Sequence, residues 1–458
     1  VPGHVTAIFA VMLVAMIACL ALEEKIHAKK SVIVGVFAGI CLVLATALEL
    51  LPFGEVTLPP LAGESTGHGI EMPVYIPAID WGVITIILGA SLFVEVTSRS
   101  GVFTWMAISL TKKSGGDPWK LLLAYGILTV VFSAMLNNVT AMIIIGSLTG
   151  VSLAKLKRTD LLLGFLIVEG LLTNVGGLLT LISSVPNIIV GTTAGISFAT
   201  FFIGSAPYVL IATLVTLWLG ARVFRIQRLG TDEQRTSARE LVESFDESDG
   251  VSSWGFFWFG AGMLVLFIIL IATASVLPGD VKHLGMGFIA LALAGVMLIR
   301  YKHEVDEFYK SVDWDLLGFF MALFVVIYVM EHAHVLELIG RGVEQMIGWG
   351  RIGGTAALLF CSAGFSSVTD NIPLAAMLAK ILSASGTPAD SPLWWSVVFG
   401  ANLGGNITPI GSASTLVAVT LIHKYKLPLS FAGFVGKALP YAALQLGLAV
   451  IYVLVFVA

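Results

Sequence analysis

Charge is scarce in this sequence. Asp, Glu, Lys and Arg make up 12% of 458 residues, against about 25% in soluble globular domains. With 57% of residues hydrophobic and a mean hydropathy of +0.96, a soluble core cannot hide the apolar surface, whereas a bilayer can. The net charge of −4 is small and gives no sign of a nucleic-acid partner. Cysteine is scarce too. Cys19, Cys41 and Cys361 lie in apolar stretches with no CxxC spacing, and so read as small buried residues and not as a disulfide framework. There is no GxxxxGK[ST] loop, no HExxH and no convincing Ser/His/Asp set. The chain is therefore not expected to be an enzyme, needs no cofactor, and has no recognised route to ATP hydrolysis. The first apolar run has no basic segment before it and reads as a membrane span, not a signal peptide.

What the chain has is long hydrophobic runs. Those near 4–22, 31–52, 80–97, 197–220, 253–276, 283–300, 313–332 and 429–457 can each cross the ~30 Å of a hydrocarbon core. Four more stretches, 119–155, 160–192, 352–385 and 392–420, are too long for one span and are interrupted by polar or Gly-rich residues. The interruptions are Ser-Ala-Met-Leu-Asn-Asn-Val-Thr at 133–140, Thr-Asn-Val-Gly-Gly at 173–177, Ser-Ser-Val-Thr-Asp-Asn-Ile-Pro at 366–373 and Asn-Leu-Gly-Gly-Asn-Ile-Thr-Pro at 402–409. Unpaired backbone costs several kcal/mol per group in lipid, so such breaks survive only beside protein or a water-filled cavity.

The two halves repeat each other. Asp80-Trp81 and Asp313-Trp314, Asn138 and Asn371, Ser197-Phe198 and Ser430-Phe431, and Pro207-Tyr208 and Pro440-Tyr441 are all 233 positions apart. Asn174-Val175-Gly176-Gly177 matches Asn402-Leu403-Gly404-Gly405 after a small gap. A series at one offset marks a duplication, read as a first repeat over 1–224, a charged linker over 225–252 and a second repeat over 253–458. Residues 53–79 contain no Lys or Arg and are placed outside; the basic linker is placed in the cytoplasm. With 119–155 as a re-entrant hairpin, the spans opened by Asp80 and Asp313 run in opposite directions. The expected fold is thus an all-α polytopic membrane protein of two inverted-topology repeats, each with a re-entrant hairpin and a broken transmembrane helix. Both termini are expected to be non-cytoplasmic and the membrane to be the cell inner membrane.

The four breaks are expected to converge on one site. The first hairpin tip offers Asn137, Asn138 and Thr140, and the second Thr369, Asp370 and Asn371. The first broken helix offers Asn174, Gly176, Gly177, Thr180, Ser183, Ser184 and Asn187. The second offers Asn402, Gly404, Gly405, Asn406, Thr408, Ser412, Ser414 and Thr415. Amides and hydroxyls supply neutral donors and acceptors, Gly lets backbone unwind and approach a ligand, and half-helix ends supply partial charges. For a single Ser or Thr, satisfying a helix break explains the residue as well as ligand contact does; the matched Asn-Asn and Asp-Asn tips favour contact. Among intramembrane carboxylates, which mark ion or proton pathways, Asp370 comes first for proton coupling and Glu169 second. Glu49 and Glu95 read as interfacial. Glu331, His332 and His334 are explained by solvated side chains more simply than by a metal. Lys437 is either a helix-end snorkeller or a counter-charge.

These stretches, with Val-Pro-Asn-Ile-Ile-Val-Gly at 185–191, Val-Asp-Trp-Asp-Leu-Leu at 312–317 and Gly-Gly-Asn-Ile-Thr-Pro-Ile-Gly at 404–411, resemble the ion transporter superfamily that contains the arsenite permeases, the melanosomal P protein and sodium/proton antiporters of the NhaD type. The resemblance covers nearly the whole chain and implies ion-coupled efflux through a site of hairpin tips and unwound helices. Many members have Asp-Asn where this chain has Asn137-Asn138, and Gly-Asp-Pro-Pro-Asn where it has Ser183-Ser184-Val185-Pro186-Asn187. Each change removes a carboxylate and suits a neutral or weakly acidic ligand. The Thr408–Ser412 run looks more like arsenite permeases than antiporters. The expected function is arsenite or antimonite efflux coupled to proton antiport; the rivals are a sodium/proton antiporter and a carrier for organic or inorganic anions. Expected partners are the bilayer, a small inorganic substrate, and protons or sodium. Some arsenite permeases also have a soluble ATPase partner, which the linker would receive.

Overall fold

The computed structural model describes residues 1–51, 55–57, 69–136, 138–369 and 371–456. Its main helices in the first half are α1 (Gly3–Ala21), α2 (Lys30–Ala47), α3 (Trp81–Arg99), α4 (Val102–Ser114), α5 (Pro118–Met135), α6 (Asn138–Lys155), α7 (Leu162–Gly176), α8 (Val185–Thr193) and α9 (Phe198–Val223). Those in the second half are α10 (Trp254–Thr273), α11 (Gly285–Arg300), α12 (Trp314–His332), α13 (Val335–Ile347), α14 (Gly350–Ser366), α15 (Asn371–Ala384), α16 (Pro392–Gly404), α17 (Ala413–Lys424) and α18 (Phe431–Phe456). Among the described residues, 11 helices are long and apolar enough to cross a membrane. One element departs from the all-helical reading: β1 (Glu55–Thr57) pairs antiparallel with β2 (Gly69–Glu71), Val56 opposite Ile70. Val, Ile and Thr favour extended backbone, and this pair lies outside the spans.

The chain divides into two compact units that do not follow the two repeats. One holds residues 1–84 and 313–344, the other residues 85–312 and 345–458. In the first unit, α2 packs along α12 and α1 packs on both. The Ser31 hydroxyl at the start of α2 donates to the Asp315 carboxylate at the start of α12. The repeated Asp-Trp pair also has a local role. Asp313 accepts from the Leu316 amide at 2.9 Å, and Asp80 accepts from the Val83 amide at 3.1 Å. Each caps the helix that follows it, satisfying an amide that has no intrahelical partner.

The second unit contains both hairpins and both broken helices. The four interrupted stretches resolve into pairs of helices: α5 with α6, α7 with α8, α14 with α15, and α16 with α17. Both feet of the first hairpin sit on the linker. Asp117, the N-cap of α5, accepts from the Leu229 amide at 3.0 Å, and Lys155, at the end of α6, stands 4.0 Å above the Phe245 ring. The chain therefore enters and leaves on one face, as a re-entrant hairpin must. The inversion is visible in α9 and α18, which occupy equivalent places in the repeats but run antiparallel. Lys437 near the start of α18 lies over Phe224 at the end of α9, and Tyr452 near the end of α18 donates to the Gly204 carbonyl near the start of α9, at 2.8 Å.

Candidate functional site

Each hairpin is fastened to the broken helix of its own half by the same parts. The Ser133 hydroxyl donates to the Thr173 carbonyl at 2.5 Å and lies 2.6 Å from Asn138 Oδ1. Its counterpart Ser366 donates to the Ala401 carbonyl at 2.5 Å, which Asn371 Nδ2 also reaches, at 3.5 Å. Thr180 donates to the Ala134 carbonyl at 2.6 Å, and Thr408 donates to the Ser367 carbonyl. A Cβ on Gly176 would lie 2.7 Å from the Val130 backbone, and one on Gly404 would lie 2.4 Å from the Ala363 carbonyl oxygen. These two glycines are still helical. They allow two backbones to touch; the unwinding expected of them begins one residue later. The breaks are Gly177–Ser184 and Gly405–Ser412, shifted towards the C-terminus from the positions read in the sequence. Gly177 leaves room for an amide, since a Cβ there would lie 2.8 Å from Asn138 Nδ2.

Between the repeats runs a buried network of amides. Asn174 Nδ2 donates to Asn406 Oδ1 at 2.8 Å, and Asn174 Oδ1 accepts from Ser412 at 2.9 Å and Ser414 at 3.2 Å. Asn406 Nδ2 donates to Gln445 Oε1 at 2.8 Å and to the Leu171 carbonyl at 3.1 Å. Gln445 in turn donates to Thr216 at 2.9 Å. On the other side, Asn402 Nδ2 donates to Asn187 Oδ1 at 2.8 Å, and Asn187 Nδ2 donates to the Gly177 and Thr180 carbonyls at 2.6 and 3.0 Å. Asn402 Oδ1 is buried with no hydrogen-bond partner among the described residues. An amide ladder of this kind ties the two halves together where unmet polar groups would be costly.

The residues read from the sequence thus fall into two groups. Asn174, Gly176, Gly177, Thr180, Ser183, Ser184, Asn187, Asn402, Gly404, Gly405, Asn406, Thr408, Ser414 and Thr415 are buried. Several of these spend their hydroxyl or amide on the backbone of the breaks: Ser183 on the Gly177 carbonyl at 2.6 Å, and Thr415 on the Ser412 carbonyl at 2.7 Å. Asn138, Thr140, Thr369, Asn371 and Ser412 are half-buried. Asn137 and Asp370 lie outside the described residues. Glu169 is fully buried in α7; one carboxyl oxygen accepts from Thr149 at 2.6 Å and the other has no partner among the described residues. Further along α6, Ser152 lies 2.7 Å from the Tyr125 hydroxyl, which lies 2.6 Å from Thr111.

The other charged candidates have local partners or surroundings of their own. Glu95 pairs with Arg99 at 3.1 Å, and Glu49 is exposed at the end of α2. His334 pairs with Glu337 at 2.7 Å. Lys437, in the second turn of α18, lies 5.7 Å from the Phe224 ring. Sequence reading missed Ser133, Ser366, Thr173, Gln445 and Thr216. The two serines stand at the repeat offset, and Gln445 is an uncharged polar residue in the long apolar helix α18; both signals were legible.

Inverted repeats, paired hairpins and two discontinuous helices meeting in a polar centre define a membrane transporter. A family model described as a citrate transporter (CitMHS) matches residues 11–400, and the chain belongs to that family. It is 30% identical over 403 residues to a 46 kDa membrane protein of Mycobacterium leprae, covering 87% of this chain and 90% of that one. It is 25% identical over 453 residues to the human P protein, covering 82% of this chain and 54% of that protein. Among solved structures, the Alcanivorax borkumensis YdaH transporter is similar in fold, with a TM-score of 0.59 and 15% identity, over 93% of this chain and 98% of that one.

Proposed function

We propose that this transporter is an ion-coupled secondary carrier of a small, oxygen-rich anion, the last of the readings the sequence left open. The observation that carries it is how the ends of the broken segments are used. Carbonyls at the C-terminal ends already accept hydrogen bonds from side chains: Thr173 from Ser133, Gly177 from Ser183 and Asn187, Ala401 from Ser366. Freed carbonyls are what would coordinate a cation, whereas helix N-termini favour anions. The helix starts at Asn138, Val185 and Asn371 remain as sources of partial positive charge; that at Ala413 is capped by the Ser412 hydroxyl, which accepts from the Ser414 amide. The breaks contain no Lys or Arg, so the anion would be held by helix ends, amides and hydroxyls. The family description, citrate transporter, supports the same class.

Arsenite or antimonite efflux is the second reading. It is favoured by the replacement of carboxylates by hydroxyls and amides at Asn137 and Ser183–Ser184, which suits an uncharged trivalent hydroxide; the relatives described above carry no arsenical in their names. Under either reading Asp370 and Glu169 are the coupling carboxyls, because intramembrane carboxyls mark ion pathways. The linker stays on the cytoplasmic side of the inner membrane, and its exposed helical face over 232–243 is where a soluble ATPase would dock.

Proteoliposomes with an imposed pH gradient separate these readings. Saturable counterflow of labelled citrate or a smaller carboxylate is expected. If arsenite moves and no carboxylate does, the second reading replaces the first. If only sodium moves, read by dequenching of a pH dye, the protein is a sodium/proton antiporter and the anion reading fails.

A further inference from the structure

The foot of the first hairpin carries a groove lined by none of the candidate site residues. It lies between the start of α5, the end of α9 and the first linker residues, and has a volume of about 810 Å³. Its two ends differ in chemistry. One is apolar and faces outward from a spanning helix: Leu214 is 50% exposed and Trp218 54%. The other holds three exposed arginines, Arg222, Arg225 and Arg228.

Two of the three arginines are held against aromatic rings without being neutralised. The Arg222 guanidinium sits 4.4 Å over the Trp218 ring and that of Arg228 sits 4.6 Å over Trp119. Stacking uses the flat face of a guanidinium and leaves its N–H edge pointing outwards, the geometry that binds phosphate in a bidentate way. None of the three makes an ion pair among the described residues, where the ion pairs of Arg99, Arg158, Arg235, Arg239 and Arg341 are all with carboxylates. The nearby Asp117 carboxylate is engaged with the backbone amides of Trp119, Lys120 and Leu229.

We propose that this groove binds an anionic phospholipid, its phosphate on Arg222, Arg225 and Arg228 and an acyl chain along Leu214 and Trp218. A soluble anion would have no use for the apolar end, and a zwitterionic lipid would bring its own cation to a site that already holds three arginines. Basic pockets beside spanning helices are suited to such headgroups. The bound lipid would fasten the end of α9 to the foot of the hairpin whose other end lies in the transport site.

The test uses the full chain in nanodiscs of phosphatidylcholine mixed with phosphatidylglycerol, followed by native mass spectrometry of the lipid that stays bound. Phosphatidylglycerol is expected to be retained on the order of tenfold over phosphatidylcholine. The Arg222→Gln/Arg225→Gln/Arg228→Gln variant is expected to lose that preference. Arg235→Gln/Arg239→Gln removes two positive charges from the linker helix outside the groove and is expected to keep it. The single variant Arg228→Gln, at an exposed position, is expected to show a partial loss and serves if the triple variant does not fold. Equal retention of the two lipids, an unaltered preference in both groove variants, or displacement of the lipid by inorganic phosphate alone would each overturn the assignment.

Discussion

Adding one methyl group at Gly404 probes the joint between hairpin and broken helix. In Gly404→Ala the new Cβ would stand 2.4 Å from the Ala363 carbonyl oxygen, 2.7 Å from its Cα and 2.8 Å from Ser366 Cβ. Ordinary contact begins at 3.4 Å, so α14 and α16 must separate by roughly 1 Å, and overpacking of this kind costs about 1–3 kcal/mol. The shift also strains the bond from Ser366 to the Ala401 carbonyl, worth about 1 kcal/mol. Gly364 provides the control, since a Cβ there meets nothing within 4 Å and Ala is the better helix former by up to about 1 kcal/mol. Thermal unfolding in detergent gives a readout that needs no knowledge of the substrate, and counterflow in proteoliposomes gives the functional one. Gly404→Ala should melt below wild type and transport poorly, while Gly364→Ala should match or exceed wild type in melting. Equal melting and equal transport for the two variants would refute the close-approach role of Gly404.

Further expectations follow from the polar centre. Ser133→Ala and Ser366→Ala each remove one hydroxyl-to-carbonyl bond at an equivalent place, so each should lower stability by about 1 kcal/mol, with transport reduced to a similar degree in the two variants; an effect confined to one would show that the two joints are not functionally equivalent. A double-mutant cycle on Asn174→Ala and Asn406→Ala, read by unfolding, should give a coupling of about 0.6–1.7 kcal/mol; strict additivity would mean that the 2.8 Å amide bond contributes nothing. In Glu169→Gln, whose side chain keeps its shape without a titrating carboxyl, pH-driven transport should fall far more than exchange at equal pH on both sides. Unaltered pH-driven transport would remove Glu169 from the coupling path.

Much of this architecture was legible along the chain because a bilayer makes polarity expensive. Apolar runs of span length, their interruptions and the constant offset between Asp80 and Asp313 are properties of the sequence alone, and they determined the number of repeats and the class of protein. Tertiary structure decided what each interruption is for. Gly176 and Gly404 look like unwinding points in sequence, yet they are helical and serve close approach, because only the neighbouring Val130 and Ala363 backbones make a side chain impossible there. Asn174 and Asn406, and Asn187 and Asn402, join their amide groups across the duplication, a pairing that no spacing along the chain encodes. The half-buried Asn138, Thr140, Thr369 and Asn371 are distinguished from these buried amides only once the helices are packed. Composition placed this chain in a membrane; packing decided which of its polar residues are buried against one another and which stay half-exposed.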